Sequence, residues 1–559
     1  MSQIGKKNSR RAVAYRRSRV FFEVRLRMFA GCLLLLIPVA VLADEPAVGV
    51  AGARNVLSPQ ETAALVDQIF ARTWAAAGVQ PAEPASDVEF VRRLYLDLAG
   101  RIPSVSEVRA FHADAAESRR KNLVEHLLDR PAFVRHFTIL WRNALIPQAR
   151  TAPQLRGLMP GFEAWLWTRF SDGIPYDRMV RELITAAPDI GPESGLVLRR
   201  ASSPGAFYLA RQLQPESLAT GMSRAFLGVR LDCAQCHDHP FDSWKQDQFW
   251  GLAAFFAELQ PGQDEPSRME MLSGRSGLRE IEVGSTGRTI LATFPDQDRP
   301  AEAGSMLPRE QLAEWLTHPE NPWFSRMAAN RIWEIFMGRG IVHPVDDFSD
   351  LNPPAHPEVL DLLAQQLVAH DFDLRFLIRA ITSTRTYQLS SRQSHDSQDD
   401  AQMFARSTLR GLTPEQLFDS LAEATGFYQP YRSENPFVVD TESTRGRFLT
   451  LFEDEASTAQ QKETTILQAL AMMNGEFVAD ATSPDVGQTL TGTLRFPIID
   501  DRERIEMLFL AALSRSPDAE ELAEVESLLE AASAPGDRDA ILADLFWALL
   551  NSSEFLLNH

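Results

Sequence analysis

Two cysteines followed by a histidine form the pattern in this sequence that carries the most specific chemistry. Cys233 and Cys236 flank Ala234 and Gln235, and His237 follows directly, which gives a C-x-x-C-H motif. At this spacing two thiols can add to the two vinyl groups of a haem while the imidazole ligates the iron from the proximal side. The motif therefore predicts covalent binding of haem c by Cys233, Cys236 and His237.

Three other uses of the same residues stay open. A C-x-x-C pair also forms redox or structural disulfides, and small thiols are often simply buried beside a turn. The third use is a non-haem metal site, because zinc and iron take thiolate, imidazole and carboxylate ligands. Besides the cysteines, this stretch offers two imidazoles and two carboxylates as ligands of such a site, and the candidates are His237, Asp238, His239 and Asp242.

The residues after the motif indicate how it is positioned. Pro240 removes a backbone donor and restrains His239 to extended geometry, so a turn follows the cysteines. A helix is predicted next, at Gln246–Phe256, and its aromatic side chains would either line a haem or belong to the core.

The N-terminus predicts export. Residues 1–27 carry nine Lys or Arg, an apolar run of about 14 residues follows, and Ala43 ends a small-residue cleavage site. The alternative is a membrane anchor, but the run contains Pro38 and is shorter than the roughly 20 residues that a span requires. We therefore predict a signal peptide at 1–43 and an extracytoplasmic protein. Haem is attached to C-x-x-C-H motifs in that compartment.

The charge balance excludes some partners. Without residues 1–43 the chain has 47 basic and 74 acidic side chains, a net charge of −27. Such a surface repels nucleic acid and anionic lipid. No second apolar run is long enough to span a membrane, so no stable span is expected after cleavage. The third cysteine, Cys32, is lost with the signal peptide, so disulfides do not hold this protein together.

The remaining sequence predicts a mainly α protein. Ser58 caps a first helix with Pro59 at its first turn, and apolar residues recur at helical spacing along most of the chain. Residues 259–305 differ, because they are rich in Gly, Ser and Pro and enclose two β-like runs, Arg279–Val283 and Thr289–Phe294. This segment predicts a linker with a short β hairpin between two helical domains. Residues 390–402, 428–444 and 481–493 are predicted as loops. Further helices are predicted at Arg119–Leu128, Phe133–Leu145, Phe162–Phe170, Asp177–Ala186 and Pro215–Leu227.

One pattern occurs twice. LYLDLAGRIPSVSEV at 94–108 and LFLAALSRSPDAEEL at 508–522 each combine an apolar helix, an arginine, a proline and a capped acidic helix start. We interpret the two copies as helix–turn–helix hairpins with the same turn chemistry.

Two groups of stretches along the chain can be recognised. The first group is FVRRLYLDLAGRIPSVSEV (90–108), IPYDRMVRELI (174–184) and FLGVRLDCAQCHDHPFDSWKQDQFWGLAAFF (226–256). The second group lies at 312–364, 381–391, 412–421, 466–478 and 551–559. With these stretches in this order, the chain is similar to proteins that carry DUF1549 and DUF1553, also called the planctomycete cytochrome-like PSCyt2 and PSD1 domains. The first group is typical of DUF1549 and the second of DUF1553.

The resemblance implies a domain organisation and a context. A flexible leader at 44–57 precedes a DUF1549 domain at 58–258, the linker at 259–305 and a DUF1553 domain at 306–559. The first domain is called cytochrome-like because of its C-x-x-C-H, which implies electron transfer or redox sensing with a redox partner protein. It implies no established enzymatic activity.

Two polar stretches of the second domain also match the family. They contain Asp346-Asp347 and His356-Pro357-Glu358, and His356 is a candidate distal ligand or metal ligand. We expect Arg331 and Arg339 to pair with these carboxylates in a structural network. Two further hypotheses are a metal- or disulfide-stapled scaffold or binding protein, and an uncharacterised hydrolase that uses the clustered Asp and His residues.

Overall fold

The computed structural model describes residues 55–149, 153–188, 202–240, 242–259, 277–284, 286–428, 443–452 and 466–559. The predicted signal peptide and residues 44–54 of the predicted leader lie outside these residues. The last part of the leader is described and is bound to the fold. The backbone N–H of Leu57 donates to Gln366 Oε1 at 3.0 Å, and His370 Nε2 donates to the Leu57 carbonyl at 2.8 Å.

Helices dominate the described residues, which confirms the prediction of a mainly α fold. The first ten α-helices are α1 (Pro59–Ala77), α2 (Asp87–Ala99), α3 (Val105–Ala113), α4 (Arg119–Leu128), α5 (Pro131–Leu145), α6 (Met159–Ser171), α7 (Tyr176–Thr185), α8 (Ala206–Leu209), α9 (Pro215–Met222) and α10 (Gln246–Ala254). The others are α11 (Pro308–Leu316), α12 (Pro322–Met337), α13 (Pro357–Ala369), α14 (Leu374–Ser383), α15 (Pro414–Thr425), α16 (Thr444–Phe452), α17 (Ile466–Asn474), α18 (Glu476–Ala481), α19 (Gln488–Arg495), α20 (Asp501–Leu513), α21 (Ala519–Ala531), α22 (Pro535–Leu550) and α23 (Ser553–Leu556). Across the described part of the chain, no helix has the length and apolar character needed to cross a membrane.

Local sequence signals explain many helix starts. Ser58 and Glu61 form a capping box at the start of α1, and Pro59 occupies its first turn. The box satisfies two backbone donors that the first turn would otherwise leave free. The same device begins α3, where Ser104 and Glu107 exchange hydrogen bonds.

The predicted β hairpin is present. Strands β1 (Glu280–Val283) and β2 (Arg288–Leu291) pair antiparallel, with Glu280 opposite Leu291. A second small sheet was not predicted. It joins β3 (Arg410–Gly411) to β4 (Leu557–Asn558), so the last residues of the chain pair with a segment almost 150 positions earlier.

The hydrophobic core crosses the predicted linker. One cluster of buried residues runs from Val66 to Ala405, and within it the Phe70 ring stacks on Trp333 with centroids 5.8 Å apart. A second cluster consists of buried side chains between Leu417 and Phe555, and it also contains Leu96 and Ile102 of the first region. The domain boundaries stay a prediction, but apolar packing joins the regions on both sides of residues 259–305.

Two buried arginines of α2 strengthen this connection. Arg92 donates to the carbonyl of Ala512 at 3.0 Å and to that of Phe555 at 2.9 Å. Arg93 donates to the carbonyl of Tyr387 at 2.6 Å. Burial lowers the pKa of Arg92 to about 10. The arginines satisfy carbonyls at the ends of distant segments, and buried groups of this kind need such partners.

The sequence pattern that occurs twice, at 94–108 and 508–522, forms two matching helix–turn–helix hairpins, as interpreted from the sequence. In each, the arginine after the first helix makes two hydrogen bonds to the third residue of the next helix. The two terminal guanidinium nitrogens of Arg101 each donate to the Glu107 carboxylate at 2.8 Å, and those of Arg515 donate to the Glu521 carboxylate at 2.6 and 2.8 Å. Ser514 adopts φ 62° where the first copy has Gly100 at φ 71°. The turn chemistry therefore recurs in detail.

A buried histidine predicts a specific acid sensitivity. His136 is 6% exposed and lies so close to Gly100 that a side chain there would meet its Nδ1 at 2.5 Å. Burial lowers the pKa of His136 to about 4. The charged groups that act on it are Glu415 and Asp419, which favour the proton, and Arg135 and Arg410, which oppose it.

The folded protein therefore takes up this proton at a lower pH than the unfolded chain. Stability from a neutral His136 is fully present above its ordinary pKa of about 6.5 and is lost between there and about pH 4, by up to about 3 kcal/mol. We expect His136→Leu to remove this part of the pH dependence. Urea unfolding of both proteins at pH 7, 5.5 and 4 measures it, and parallel pH profiles would contradict the prediction.

Candidate functional site

The C-x-x-C-H motif lies on a short 3₁₀ turn at Asp232–Gln235, which follows a π-helical turn at Ser223–Leu227. In a 3₁₀ turn, side chains three positions apart lie on the same side. Cys233 and Cys236 are accordingly both exposed, and neither forms a disulfide. Ala234 between them is fully buried and anchors the turn to the core.

Helix α10 holds the backbone of this turn. Trp250 Nε1 donates to the Gln235 carbonyl at 3.0 Å, and Gln246 Nε2 donates to the Cys236 carbonyl at 2.8 Å. Both carbonyls would otherwise be free, because a 3₁₀ turn ends here. The prediction that Gln246–Phe256 forms an apolar helix beside the motif is confirmed, apart from its last two residues.

His237 is exposed, and a hydrogen bond within the turn fixes its ring. Its Nδ1 lies 2.7 Å from the Asp238 carbonyl. Since a carbonyl only accepts, Nδ1 is the donor, and in the neutral ring Nε2 is the nitrogen that presents a lone pair. Asp238 is held in turn by the backbone N–H of Gln246 at 2.9 Å and by Lys245 Nζ at 3.3 Å. The Gln246 N–H, followed by Lys245, lowers the pKa of Asp238.

The other predicted metal ligands in this stretch have local roles. The backbone N–H of His239 donates to the Trp244 carbonyl at 2.8 Å. Asp242 Oδ1 accepts from the backbone N–H of Ser243 at 2.7 Å. Within the described residues, no three His, Cys, Asp or Glu side chains come together as a metal ion would require.

His356 lies in the core instead. It is 5% exposed, its ring centroid is 4.6 Å from that of Phe70, and its Nε2 lies 2.7 Å from the Gln402 carbonyl. Burial lowers the pKa of His356. The contacts that the structure gives this ring are with Phe70, Phe404 and Gln402, and none is with residues 232–246. The structure therefore does not bring the candidate distal ligand to the cysteines.

The prediction that Arg331 and Arg339 pair with Asp346 and Asp347 is wrong. Asp346 accepts from Arg224 Nε at 2.9 Å and from Arg230 at 2.7 Å, both on the segment that leads into Cys233. Burial raises the pKa of Asp346, but the hydrogen bonds and charges of Arg230 and Arg224 outweigh it and hold the pKa below its ordinary value. Arg331 and Arg339 are nearer to Asp346 in the sequence, but the fold brings Arg224 and Arg230 into contact with its carboxylate.

Asp346, His356 and Glu358 have separate partners and do not come together in one site. Glu358 pairs with Arg72 at 2.9 Å on the surface, and His356 packs in the core. The sequence did not predict the contacts of four residues around the motif. These are Arg224 and Arg230, which pair with Asp346, and Gln246 and Trp250, which donate to carbonyls of the turn. A signal did exist for the first two, because they are the basic residues nearest before Cys233 and an acidic pair stands in the second region.

Two family models match the chain. "Protein of unknown function (DUF1549)", or PSCyt2, matches residues 65–261, and "Protein of unknown function (DUF1553)", or PSD1, matches residues 308–445 and 437–529. No curated protein and no solved structure is similar enough to be matched. The residues before the cysteines and the carboxylates that bind them thus come from the two matched regions. The chain belongs to the family of proteins in which a DUF1549 (PSCyt2) region is followed by a DUF1553 (PSD1) region.

Proposed function

We propose that this protein binds haem c covalently through Cys233 and Cys236, with His237 as proximal ligand, and serves electron transfer or redox sensing outside the cytoplasm. The observation that carries the proposal is the hydrogen bond that orients the His237 ring. Its Nδ1 donates to the Asp238 carbonyl, so Nε2 is the nitrogen available to a metal. Metal-binding histidines are generally oriented in this way, by a hydrogen bond from the other ring nitrogen.

The two thiols support the same proposal. Cys233 and Cys236 are free, exposed and one 3₁₀ turn apart, so both are accessible from the same side. The buried Ala234 and the hydrogen bonds from α10 keep that turn in place. When bound, a haem supplies a one-electron redox couple. The chain supplies its attachment, the orientation of the imidazole and a polar exposed surface where a redox partner protein can approach.

The predicted export of the chain also supports haem attachment. The predicted signal peptide at 1–43 would place the motif where covalent attachment to C-x-x-C-H occurs, and the remaining chain carries a net charge of −27. A basic or cationic redox partner would complement this charge.

A second candidate is a disulfide-stapled or metal-stapled exported scaffold. The same spacing of the two free thiols favours it, since one turn separates them. Zinc or iron would need at least one more ligand, which His237 could provide. Haem and this alternative differ in colour, in bound metal and in the thiol state of the purified protein.

The role of His237 is tested by substitution in the haem-loaded protein. We expect His237→Ala to keep the haem, because the thioether bonds remain, and to change the visible absorption spectrum, because the proximal ligand is lost. His126→Ala is the matched control, since His126 is an exposed histidine on α4 that binds Arg130. Superimposable spectra for His237→Ala and the unmodified protein would overturn the assignment.

A further inference from the structure

The DUF1553 region packs directly against the segment that leads into the cysteines. The backbone N–H of Phe348 donates to the Gly228 carbonyl at 2.8 Å. Gly228 adopts φ 73°, and a Cβ there would meet the Phe348 ring at 2.5 Å. Only glycine combines this backbone conformation with so close a neighbour. The segment from Ser223 to Asp232 is therefore fitted against residues 346–348.

Ion pairs extend this contact to the residue before Cys233. Arg224 Nε lies 2.9 Å from Asp346 Oδ2, and its NH1 lies 3.9 Å from Asp232 Oδ1. Arg230 binds Asp346 at 2.7 Å and lies 3.7 Å from Asp347 Oδ2. Asp346 is thus the carboxylate shared by the two arginines. The Arg224 guanidinium lies between Asp346 and Asp232, the first residue of the 3₁₀ turn.

We propose that Asp346 of the DUF1553 region is a positioning residue for the C-x-x-C-H turn and lowers the electrostatic potential at its thiols and at His237. The part of this inference that concerns redox potential rests on the proposed haem attachment. The part that concerns the thiols does not. The two matched regions would then build one site together, with the second region controlling the chemistry of the first.

The expected signs follow from charge alone. Asp346→Asn removes a negative charge and leaves two guanidiniums without their shared partner, so the potential at the turn becomes more positive. Arg230→Gln removes a positive charge and makes it more negative. A loss of structure would act on both variants in the same direction, whereas an electrostatic role acts in opposite directions. Asp361→Asn is the matched control, because Asp361 forms a partly exposed surface pair with Arg326 at 2.7 Å.

The thiols report this potential in the full mature chain made without haem. Iodoacetate and iodoacetamide alkylate the same thiols and differ in charge, so the ratio of their rates measures the local potential at a fixed pH. We expect Asp346→Asn to raise the iodoacetate-to-iodoacetamide ratio about threefold and Arg230→Gln to lower it about threefold, typical for single charges near an exposed site. Asp361→Asn should leave the ratio unchanged. Unchanged ratios, or shifts of the same sign in Asp346→Asn and Arg230→Gln, would overturn the inference.

The haem-loaded protein gives an independent reading of the same effect. A more positive surrounding favours the reduced haem, so Asp346→Asn should raise the midpoint potential and Arg230→Gln should lower it. A threefold change corresponds to about 28 mV for one electron, at about 59 mV per tenfold. If the chain carries no haem but the alkylation ratios shift as expected, the proposed function fails and this inference stands. If haem is present while ratios and potentials do not move, the inference fails and the proposed function stands.

Discussion

Asp97→Ala should lower the free energy of unfolding by about 3–5 kcal/mol, because it breaks a buried charge pair and leaves its partner in the core. Asp97 is 2% exposed. Its carboxylate accepts from Arg410 at 2.9 and 3.0 Å, from the Tyr387 hydroxyl at 2.9 Å and from Asn558 Nδ2 at 2.7 Å. These donors come from three distant segments, so one side chain of α2 holds them together.

Chemical denaturation monitored by circular dichroism measures this loss. Asp361→Ala is the control, because it removes an aspartate that pairs with Arg326 on the surface, where such pairs contribute about 0–1 kcal/mol. We expect the Asp97 variant to unfold at a clearly lower denaturant concentration than the control. Equal midpoints for the two variants would show that the buried network does not stabilise the fold as proposed.

Arg309→Met should be comparably destabilising. The Arg309 side chain is 3% exposed and pairs with Glu258, whose side chain is fully buried. Arg309 also donates to the Ala186 carbonyl at 2.6 Å and to the Tyr208 hydroxyl at 3.1 Å. Removing the guanidinium leaves Glu258 buried and unpaired, which costs about 3–5 kcal/mol.

A double substitution separates the charge from the packing. In Arg309→Met with Glu258→Leu, neither charge of this pair remains, so the double variant should lose less stability than Arg309→Met alone. Arg288→Met serves as the surface control, since Arg288 pairs with Asp247 where both side chains are more than half exposed. If the double variant is less stable than the single one by the full cost of a second deletion, the pairing argument is wrong.

The local features of this fold were predictable because their causes are local. Ser58 and Ser104 cap helices through residues three positions later, and the hairpin follows from alternating residues around Gly284 and Gly287. Pro240 cannot continue a helix, and this predicts the turn that follows the cysteines. Each of these needed only a few neighbouring residues.

The long-range features were not predictable from one sequence. Arg92 and Arg93 lie on an amphipathic helix where arginine is ordinarily exposed, yet both are buried. Their partners Ala512 and Tyr387 lie 420 and 294 positions away, so no spacing in the sequence announces them. The pairing of Asp346 failed as a prediction for the same reason, because its partners are close only in the folded chain.

One loop prediction was wrong for a physical reason of another kind. Residues 481–493 were expected as a loop, but helix α19 begins at Gln488 within them. Gly492 and several threonines make this stretch a poor helix former. Leu490 is fully buried against the second core cluster, and this packing overrides the weak propensity.

The central claim is that Cys233 and Cys236 hold a covalent haem, and a haem stain of the denatured protein tests it most directly. The mature chain should be purified from a host that exports it and matures c-type cytochromes, beside the double variant Cys233→Ser with Cys236→Ser and the surface control Asp361→Asn. We predict a Soret band and a stain that survives denaturation in the unmodified protein and the control, and loss of the covalent stain in the double variant, which has no thiol left to bind the haem. A colourless unmodified protein from that host, or a stain that persists when both cysteines are replaced, would contradict the account.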